Sequence, residues 1–226
     1  MKQICVVALL LTNIFLWGYG QAEESTEIQI GKTRLRIPSQ YLLPKLPASM
    51  IPRQGMDRGL GVTLKIPYSD LKLSSHAQPD PQAPLMVFLS TPGEYLQRYG
   101  VAMDAYKAWH GKALYAKRIV EQDSNTGWYI VASKAAYPMF WHLFRKAPDG
   151  TTEPGESWIA SCYQASAGRA SCHNRLLAYD LESKLTLPEK ALIRFSEIKS
   201  GYQRLLQSWI TSAYLSATPS ASLDAR

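Results

Sequence analysis

Residues 158–179, with the sequence WIASCYQASAGRASCHNRLLAY, contain the pattern that decides the fold. Two segments of strand length, Trp158–Gln164 and Ser171–Tyr179, flank a short stretch of small residues that includes Gly168. A link this short joins antiparallel neighbours, because parallel strands need a long crossover connection. The segment therefore predicts a β-hairpin whose two strands each carry one cysteine near the turn.

The two cysteines of this hairpin, Cys162 and Cys172, are predicted to form a disulfide. The chain has three cysteines, but Cys5 lies in an N-terminal segment that we expect to be removed. The remaining pair would close a loop of about 11 residues, which stabilises a fold by roughly 2.5 to 3 kcal/mol in the chain-entropy model. A redox-active pair is disfavoured, because such sites usually have a Cys-x-x-Cys spacing. A zinc site that adds His142 and His173 is an alternative, although closely spaced ligand pairs are missing.

Apolar segments of strand length continue on both sides of the hairpin, and turn residues separate them. Gly31-Lys32 is a two-residue hairpin turn between the first two of these segments. Prolines make irregular structure the expectation for residues 39–58 and 74–84. The further predicted strands are Glu27–Ile30, Thr33–Ile37, Gly61–Tyr68, Leu85–Leu89, Ala113–Glu121, Trp128–Ser133, Met139–Arg145, Leu185–Leu187 and Ala191–Phe195.

The C-terminal region has the clearest helical pattern. From Glu197 to Ala217, apolar residues recur at three- and four-residue spacing on one face. Ser196 is a candidate N-cap and Pro219 a stop signal. A weaker helical pattern between Tyr95 and Tyr106 is interrupted by Gly100. The sequence thus predicts an α+β fold, mainly an antiparallel β-sheet with a C-terminal amphipathic helix packed on it.

Residues 1–22 have the layout of a secretory signal peptide. Lys2 precedes an apolar stretch from Ile4 to Trp17, and small residues lead up to a predicted cleavage site before Glu23. The apolar stretch is shorter than the roughly 20 residues that a bilayer-spanning helix needs, so an uncleaved anchor is the lesser alternative. We expect export to a bacterial periplasm, where a disulfide persists.

The mature chain is predicted to be one α+β domain over residues 23–217, or two small similar halves, followed by a flexible tail at residues 218–226. No later segment is long and apolar enough to span a membrane, so a soluble mature protein is expected. Hydrophobic residues make up 46% of the chain, which excludes intrinsic disorder.

The net charge of +7 is spread along the sequence without a dense basic run. After signal cleavage it would be about +6. An exported protein is not expected to bind nucleic acid, and dispersed lysines are usually solvated. A basic face for anionic lipid, a cell-wall polymer or an acidic protein partner remains open.

The sequence contains no recognisable catalytic motif. The four histidines lie in no metal or nucleophile pattern, and Gly-x-Ser-x-Gly, His-Glu-x-x-His, phosphate-binding and calcium-binding loops are missing. We therefore expect a non-enzymatic protein without a cofactor or metal. A hydrolase remains an alternative, because catalytic triads are assembled in space. Such an enzyme would bring His142 or His173 together with a serine and a carboxylate in a pocket.

Several short segments follow each other in an order that resembles a loose group of uncharacterised periplasmic proteins. These segments are IPSQYL at Ile37–Leu42, GWY at Gly127–Tyr129, the cysteine pair ending in Ser171-Cys172, and LLQSWI at Leu205–Ile210. Some members of the group are similar to immunity proteins that neutralise toxins delivered between bacteria. The resemblance implies a non-enzymatic protein that binds another protein, and it transfers no functional residue.

Our leading hypothesis is a periplasmic protein that binds and occludes a secreted toxin. A cell-envelope factor that binds glycan, anionic lipid or a secretion component is the alternative, and the hydrolase is the third. Binding residues are most often found on loops. We expect the partner-facing residues at the hairpin tip and in an upstream loop, namely Tyr163, Gln164, Arg169, Arg53 and Arg58.

Overall fold

The computed structural model describes residues 24–43, 61–74, 84–166 and 169–211. The predicted signal peptide, the tail at residues 218–226, Arg53 and Arg58 lie outside these described residues. None of the described helices is long and apolar enough to cross a bilayer. The regular elements of the described ranges are β1 (Ser25–Ile30), β2 (Thr33–Pro38), β3 (Val62–Ile66), β4 (Leu85–Ser90), α1 (Glu94–Tyr99), α2 (Met103–His110), β5 (Arg118–Gln122), β6 (Tyr129–Ser133), β7 (Phe140–Phe144), β8 (Trp158–Ser166), β9 (Arg169–Ala178), β10 (Leu181–Pro188) and α3 (Phe195–Trp209).

Eight of these strands form one antiparallel sheet in the order β3-β4-β10-β9-β8-β7-β6-β5. Strands β5 to β10 are a meander in which each strand pairs with the next. Strand β10 also pairs with β4, and this pairing attaches β3 and β4 to the meander. The sheet and the C-terminal helix packed on it confirm the predicted α+β class.

Strands β1 and β2 form the predicted hairpin, and the structure shows that it is a sheet of its own, separate from the large one. Gly31 occupies the turn with a φ of +57°, a conformation that favours glycine. Leu35 of β2 forms a β-bridge with Ile210, just after α3. The Thr33 hydroxyl donates a hydrogen bond of 2.7 Å to the Tyr179 carbonyl between β9 and β10. The hairpin is therefore held between the C-terminal helix and the large sheet.

Alternation along the strands sorts the side chains of the large sheet onto two faces. The core face packs against α3 and the β1–β2 hairpin, and its buried residues include Leu64, Ile66, Leu85, Val87, Leu89, Leu181, Leu185 and Leu187. The opposite face of the sheet borders a cleft, and we call it the cleft face. Helices α1 and α2 cover the β6–β8 part of the cleft face through a smaller buried cluster that includes Ala105, Trp109, Val131, Phe144 and Trp158.

Helix α3 buries its apolar stripe on the core face. The Tyr202 hydroxyl lies 2.8 Å from the Ser183 hydroxyl oxygen of β10, and both side chains are buried. Gly201 packs directly on the backbone of Leu71, which ends a 3₁₀ turn after β3. The buried residues of the stripe are Phe195, Ile198, Gly201, Tyr202, Leu206 and Trp209.

The ends of α3 differ from the prediction. The residue that precedes the helix is Arg194, and no side chain caps its first turn, so the predicted N-cap role of Ser196 is wrong. A 3₁₀ turn leads directly into the helix at this point, which places Ser196 inside it. The helix ends at Trp209, because Ile210 is extended and bridges to β2. Residues 212–217 of the predicted helix lie outside the described part of the chain.

Two predicted strands are wrong in part or entirely. Residues Ala191–Phe195 do not form a strand, since Glu189–Arg194 is a 3₁₀ turn. Adjacent residues of a strand point to opposite faces, whereas Ala191 and the next residue are both buried and Ile193 is 75% exposed. A 3₁₀ turn, unlike a strand, buries two consecutive side chains on the same side.

The predicted strand Ala113–Glu121 begins later than expected. Its first residues form a 3₁₀ turn, and β5 starts at Arg118. The turn directs the Tyr115 side chain into the protein, where its hydroxyl contacts His142. The helical pattern from Tyr95 to Tyr106 is divided into α1 and α2 at Gly100, whose φ of +68° ends α1.

The structure confirms the disulfide between Cys162 and Cys172. The two residues are register partners on β8 and β9, with a Cα–Cα distance of 4.0 Å, and both are fully buried. The strands extend beyond both cysteines, so the bond lies within the hairpin ladder. It fixes the register of the central strand pair beneath α3.

We predict that Gly201→Ala destabilises the protein by about 1 to 3 kcal/mol, because the added methyl group overpacks a close contact. A Cβ at this position would lie 2.5 Å from the Leu71 carbonyl oxygen. Urea unfolding measures the change in the free energy of unfolding. The matched control is Ser200→Ala, at an exposed site one residue away on α3. Equal stability of both variants would contradict the close packing.

We predict that reduction of the Cys162–Cys172 bond lowers the free energy of unfolding by roughly 2 to 3 kcal/mol. Reduction removes the cross-link from the unfolded chain without changing the packed side chains. Urea unfolding of the oxidised and reduced protein measures the difference, and intact mass checks the bond through a change of about two daltons. Two free thiols in protein purified from an oxidising compartment would refute the pairing.

Candidate binding cleft

A cleft of about 300 Å³ separates the cleft face of the sheet from the first residues of α1 and α2. Its sheet wall comes from three neighbouring strands, β7, β8 and β9, and its helical wall carries two carboxylates, Glu94 and Asp104. The lining residues on the sheet side are Phe140, Ser161, His173 and Arg175. The cleft therefore combines charged, neutral polar and aromatic side chains.

Beneath the cleft, three buried side chains form a hydrogen-bonded chain. His142 Nε2 lies 2.7 Å from the Tyr115 hydroxyl, and His142 Nδ1 lies 2.8 Å from Ser161 Oγ. A neutral imidazole has one donor and one acceptor nitrogen, so one hydroxyl donates to it and the other accepts from it. The chain attaches the 3₁₀ turn before β5 to the centre of the sheet. It also orients Ser161 at the cleft wall.

The electrostatics of this chain do not favour nucleophilic catalysis. Burial lowers the pKa of His142 to about 3 and raises the pKa of Tyr115 to about 12. A histidine with so low a pKa is a weak general base, and a neutral tyrosine does not stabilise an imidazolium as a carboxylate does. Ser161 is 1% exposed. A serine, histidines and carboxylates thus lie near one cleft. The observed hydrogen bonds of His142, however, go to two hydroxyl groups and stabilise the packing of the sheet.

A partly buried ion pair forms the next row of the sheet wall. Arg175 Nη1 donates to Glu182 Oε1 at 2.6 Å, and Glu182 Oε2 accepts a hydrogen bond of 2.9 Å from the Gly93 backbone N–H. The Glu182 side chain is 7% exposed. This carboxylate therefore links β9, β10 and the start of α1, and it holds the Arg175 guanidinium at the cleft.

His173 lies between the ion pair and the buried hydrogen-bonded chain. Burial lowers its pKa to about 4, and the positive charges of Lys184 and Arg175 contribute to the shift. His173 is therefore neutral at pH 7. Its Nδ1 and the Nε of Arg175 are buried and have no hydrogen-bond partner among the described residues.

Tyrosines border the cleft on the helical side. The rings of Tyr95 and Tyr99 have centroids 5.4 Å apart, and the ring of Tyr106 lies 4.3 Å from that of Tyr99. Arg98 and Lys112 each place a cation over one of these rings, at 5.1 and 5.2 Å from the centroid. Tyr95 also lines the cleft, so the tyrosine cluster is continuous with it.

The structure describes three of the five residues that we predicted to face a partner. Tyr163 is 40% exposed and pairs with Phe140 of the cleft wall, so it extends the cleft face toward the hairpin tip. Arg169 is exposed at the start of β9, on the strand that carries His173 and Arg175. Gln164 pairs with Ala170, which packs against the core, so Gln164 belongs to the other face.

The four residues of the alternative zinc site are divided between the two faces of the sheet. Cys162 pairs with Trp141 and Cys172 on the core face, whereas His142 pairs with Ser161 on the cleft face. His173 shares the cleft face with His142. The two cysteines are joined in the disulfide. These four side chains are therefore not arranged as one ligand set.

A second hollow, of about 470 Å³, lies between the β1–β2 hairpin and the end of α3. Its described lining residues have no buried polar side-chain atom without a partner. The smaller cleft is the better candidate site, because unpartnered buried nitrogens are unusual and require an explanation.

Sequence reasoning did not identify Arg175, Lys184 or Tyr95 as candidate residues. A signal for Arg175 exists in the alternation of the hairpin. If Cys172 points to the core, then His173 and Arg175 point to the other face. Tyr95 gives no such signal, because its position depends on how α1 packs on the sheet.

We predict that stability falls as the pH decreases from about 7 to about 5.5, because of His142 and His173. The unfolded chain binds a proton at each histidine below about pH 6.5, whereas the folded protein resists protonation down to about pH 4. The free energy of unfolding changes by up to about 1.4 kcal/mol per pH unit for each histidine that is protonated in the unfolded chain and neutral in the folded protein. Urea unfolding at both pH values measures it. Stability that is independent of pH in this range would contradict the buried neutral imidazoles.

No protein-family model matches the sequence. A search of curated proteins finds no match either. Among solved structures, the chain is similar to an immunity protein of the Stenotrophomonas maltophilia type IV secretion system, with 14% sequence identity and a TM-score of 0.47. The similarity covers 84% of this chain and 94% of that chain. This neighbour is of the immunity type that the order of the sequence segments resembles, and no residue role is transferred from it.

Proposed function

We propose that this chain is an exported, non-enzymatic protein that binds another protein, and that it acts as an immunity protein by occluding an antibacterial toxin in the periplasm. The observation that carries the proposal is the exposed part of the cleft face. Beyond α1 and α2, this face presents exposed apolar side chains next to cations. Such a surface, with an aromatic cluster and a cleft beside it, suits a protein partner.

One row of residues across four strands illustrates this surface. Arg175 pairs with Lys184, Lys184 with Phe88, and Phe88 with Thr63. Phe88 is 40% exposed, and Leu177 near the same row is 46% exposed. The cations favour an acidic partner surface, while the apolar side chains supply area to be buried.

Export is the second support for this proposal. The N-terminal sequence has the three parts of a signal peptide, and the disulfide between Cys162 and Cys172 persists in an oxidising compartment. An immunity protein that occludes a toxin in the periplasm must itself be located in the periplasm. The partner-facing role of Tyr163 and Arg169 belongs to the same proposal, because both lie at the edge of the cleft face.

We predict that the exported chain protects a sensitive bacterium against a toxin encoded next to its gene and delivered to the periplasm. The purified pair should form a complex, and Phe88→Ala should weaken it at least about tenfold, as is typical of an interface hot spot. The matched control is Ile193→Ala, which truncates another exposed apolar residue on the 3₁₀ turn before α3. The control should bind like the unchanged chain.

Absence of both a complex and protection would overturn the proposal. Equal effects of the two truncations would place the interface elsewhere. Salt-sensitive sedimentation with peptidoglycan or anionic vesicles, without a protein complex, would favour the cell-envelope alternative. Turnover of the toxin or of a cell-wall substrate that is lost in Ser161→Ala would favour the hydrolase.

A further inference from the structure

The cleft contains an arginine whose hydrogen bonds are only partly used. Nη1 of Arg175 is held by the buried Glu182, whereas Nε is buried without a partner among the described residues. In a guanidinium, Nε and Nη2 form the edge that receives a carboxylate side-on with two parallel hydrogen bonds. The ion pair with Glu182 thus holds the guanidinium by one nitrogen, and the Nε–Nη2 edge has no hydrogen-bond partner among the described residues, although Nε is covered by neighbouring atoms.

His173 provides a second unused nitrogen beside this edge. It is two residues from Arg175 on β9, so both side chains are on the cleft face. Nδ1 of His173 is buried and has no partner in the described part of the chain. A neutral imidazole that carries its proton on Nδ1 would donate a third hydrogen bond to an anionic oxygen.

The charges on the sheet wall favour an anion. Arg175 and Lys184 are direct register partners, and both act electrostatically on His173. Glu182 balances one of these two cations. The carboxylates of Glu94 and Asp104 lie on the opposite, helical wall and are exposed. The cations therefore attract an anion to the sheet wall. A basic group next to that anion would lie close to the carboxylates of the helical wall.

The size of the cleft favours a side chain over a larger ligand. A volume of about 300 Å³ is at the lower end of the range for small-molecule pockets. Phe140 and Tyr95 provide apolar walls for methylene groups. The cleft also opens next to the exposed row of Phe88 and Lys184, on which we propose that the partner docks.

We infer that the cleft is a socket for an acidic side chain, aspartate or glutamate, that the partner protein inserts between α1, α2 and the sheet. Its insertion uncovers Arg175 Nε and His173 Nδ1, and its carboxylate then binds side-on to Arg175 through Nε and Nη2 and accepts a further hydrogen bond from His173. This inference rests on the proposed function, since it gives the chemistry by which the toxin is recognised. A basic residue beside that acidic side chain would pair with Glu94 or Asp104.

The test uses a probe in place of the toxin. The N-methylamide of N-acetyl-glutamate is titrated into the full mature chain, and NMR follows the Nε–H signal of Arg175 and the ring signals of His173. We expect both to shift with saturation. The N-methylamide of N-acetyl-glutamine, which has the same shape without the charge, should bind at least about tenfold more weakly.

Two arginine-to-lysine substitutions separate the socket from general charge attraction. Arg175→Lys keeps the charge and the possible pair with Glu182 but removes the side-on edge, so probe binding should fall at least about tenfold. The matched control, Arg36→Lys, makes the same change at an exposed arginine of β2 that is paired with Glu27, and it should leave binding unchanged. Far-ultraviolet circular dichroism checks that both variants are folded.

Equal binding of the two probes, or equal affinity of Arg175→Lys and Arg36→Lys, would overturn the socket. Absence of any shift of Arg175 and His173 signals would do so as well. The probe experiment involves no toxin, so a chain that binds the acidic probe but no toxin would contradict the proposed function and leave the socket intact. A chain that protects cells but shows no preference for the acidic probe would contradict the socket alone.

Discussion

The register between β8 and β9 is the constraint on which the rest of the structure depends. The disulfide joins register partners at the centre of the sheet, so these two strands do not slide past each other. A slip of one residue would exchange the two faces of a strand completely. Cys172 would then point to the cleft face, and His173 would point into the core against α3. The same register is transmitted to β10, where Ser183 meets Tyr202 of α3.

The fixed register gives the two faces different physical characters. The core face is almost entirely apolar, and some of its polar atoms are paired at short distance, as for Ser183 with Tyr202. The cleft face instead buries a histidine, His142, and the Glu182 carboxylate of an ion pair. Such groups are tolerated because each has fixed hydrogen-bond partners, since an unpaired buried charge is strongly unfavourable. Glu182 shows the principle, because it bonds both Arg175 and the Gly93 backbone.

Two of the exceptions to this pairing lie in the same cleft, and they connect the fold to the proposed function. Arg175 and His173 each retain a buried nitrogen without a partner, and both line the same cleft. Exposed apolar residues and cations continue from the cleft across β10 and β4. A protein partner that presents an acidic side chain within an otherwise complementary surface would satisfy the nitrogens and cover the apolar residues together.

The sequence by itself determined the local features, because these depend on neighbouring residues. Alternation predicted the strands, the glycine-containing turn predicted the β1–β2 hairpin, and helical spacing predicted α3 on a sheet. The even pair of cysteines predicted the disulfide. Local patterns failed at Ala113–Tyr115 and Glu189–Arg194, where apolar stretches that we predicted as strands form 3₁₀ turns. There the contact that decides the conformation, such as Tyr115 with His142, comes from a distant part of the chain.

Only the tertiary structure decided which residues meet in the cleft. Alternation assigns His173 and Arg175 to one face, but it does not say that Glu182 will hold Arg175 or that α1 will begin above it. Residues 93 to 104 are far from β9 in the sequence. They follow β4, and β4 lies near β9 because β10 pairs with both strands. The physical reason is that the partners of buried polar groups are chosen by packing in three dimensions. The sequence alone therefore predicted the sheet, the helix and the disulfide, while the cleft and its unpaired nitrogens required the fold.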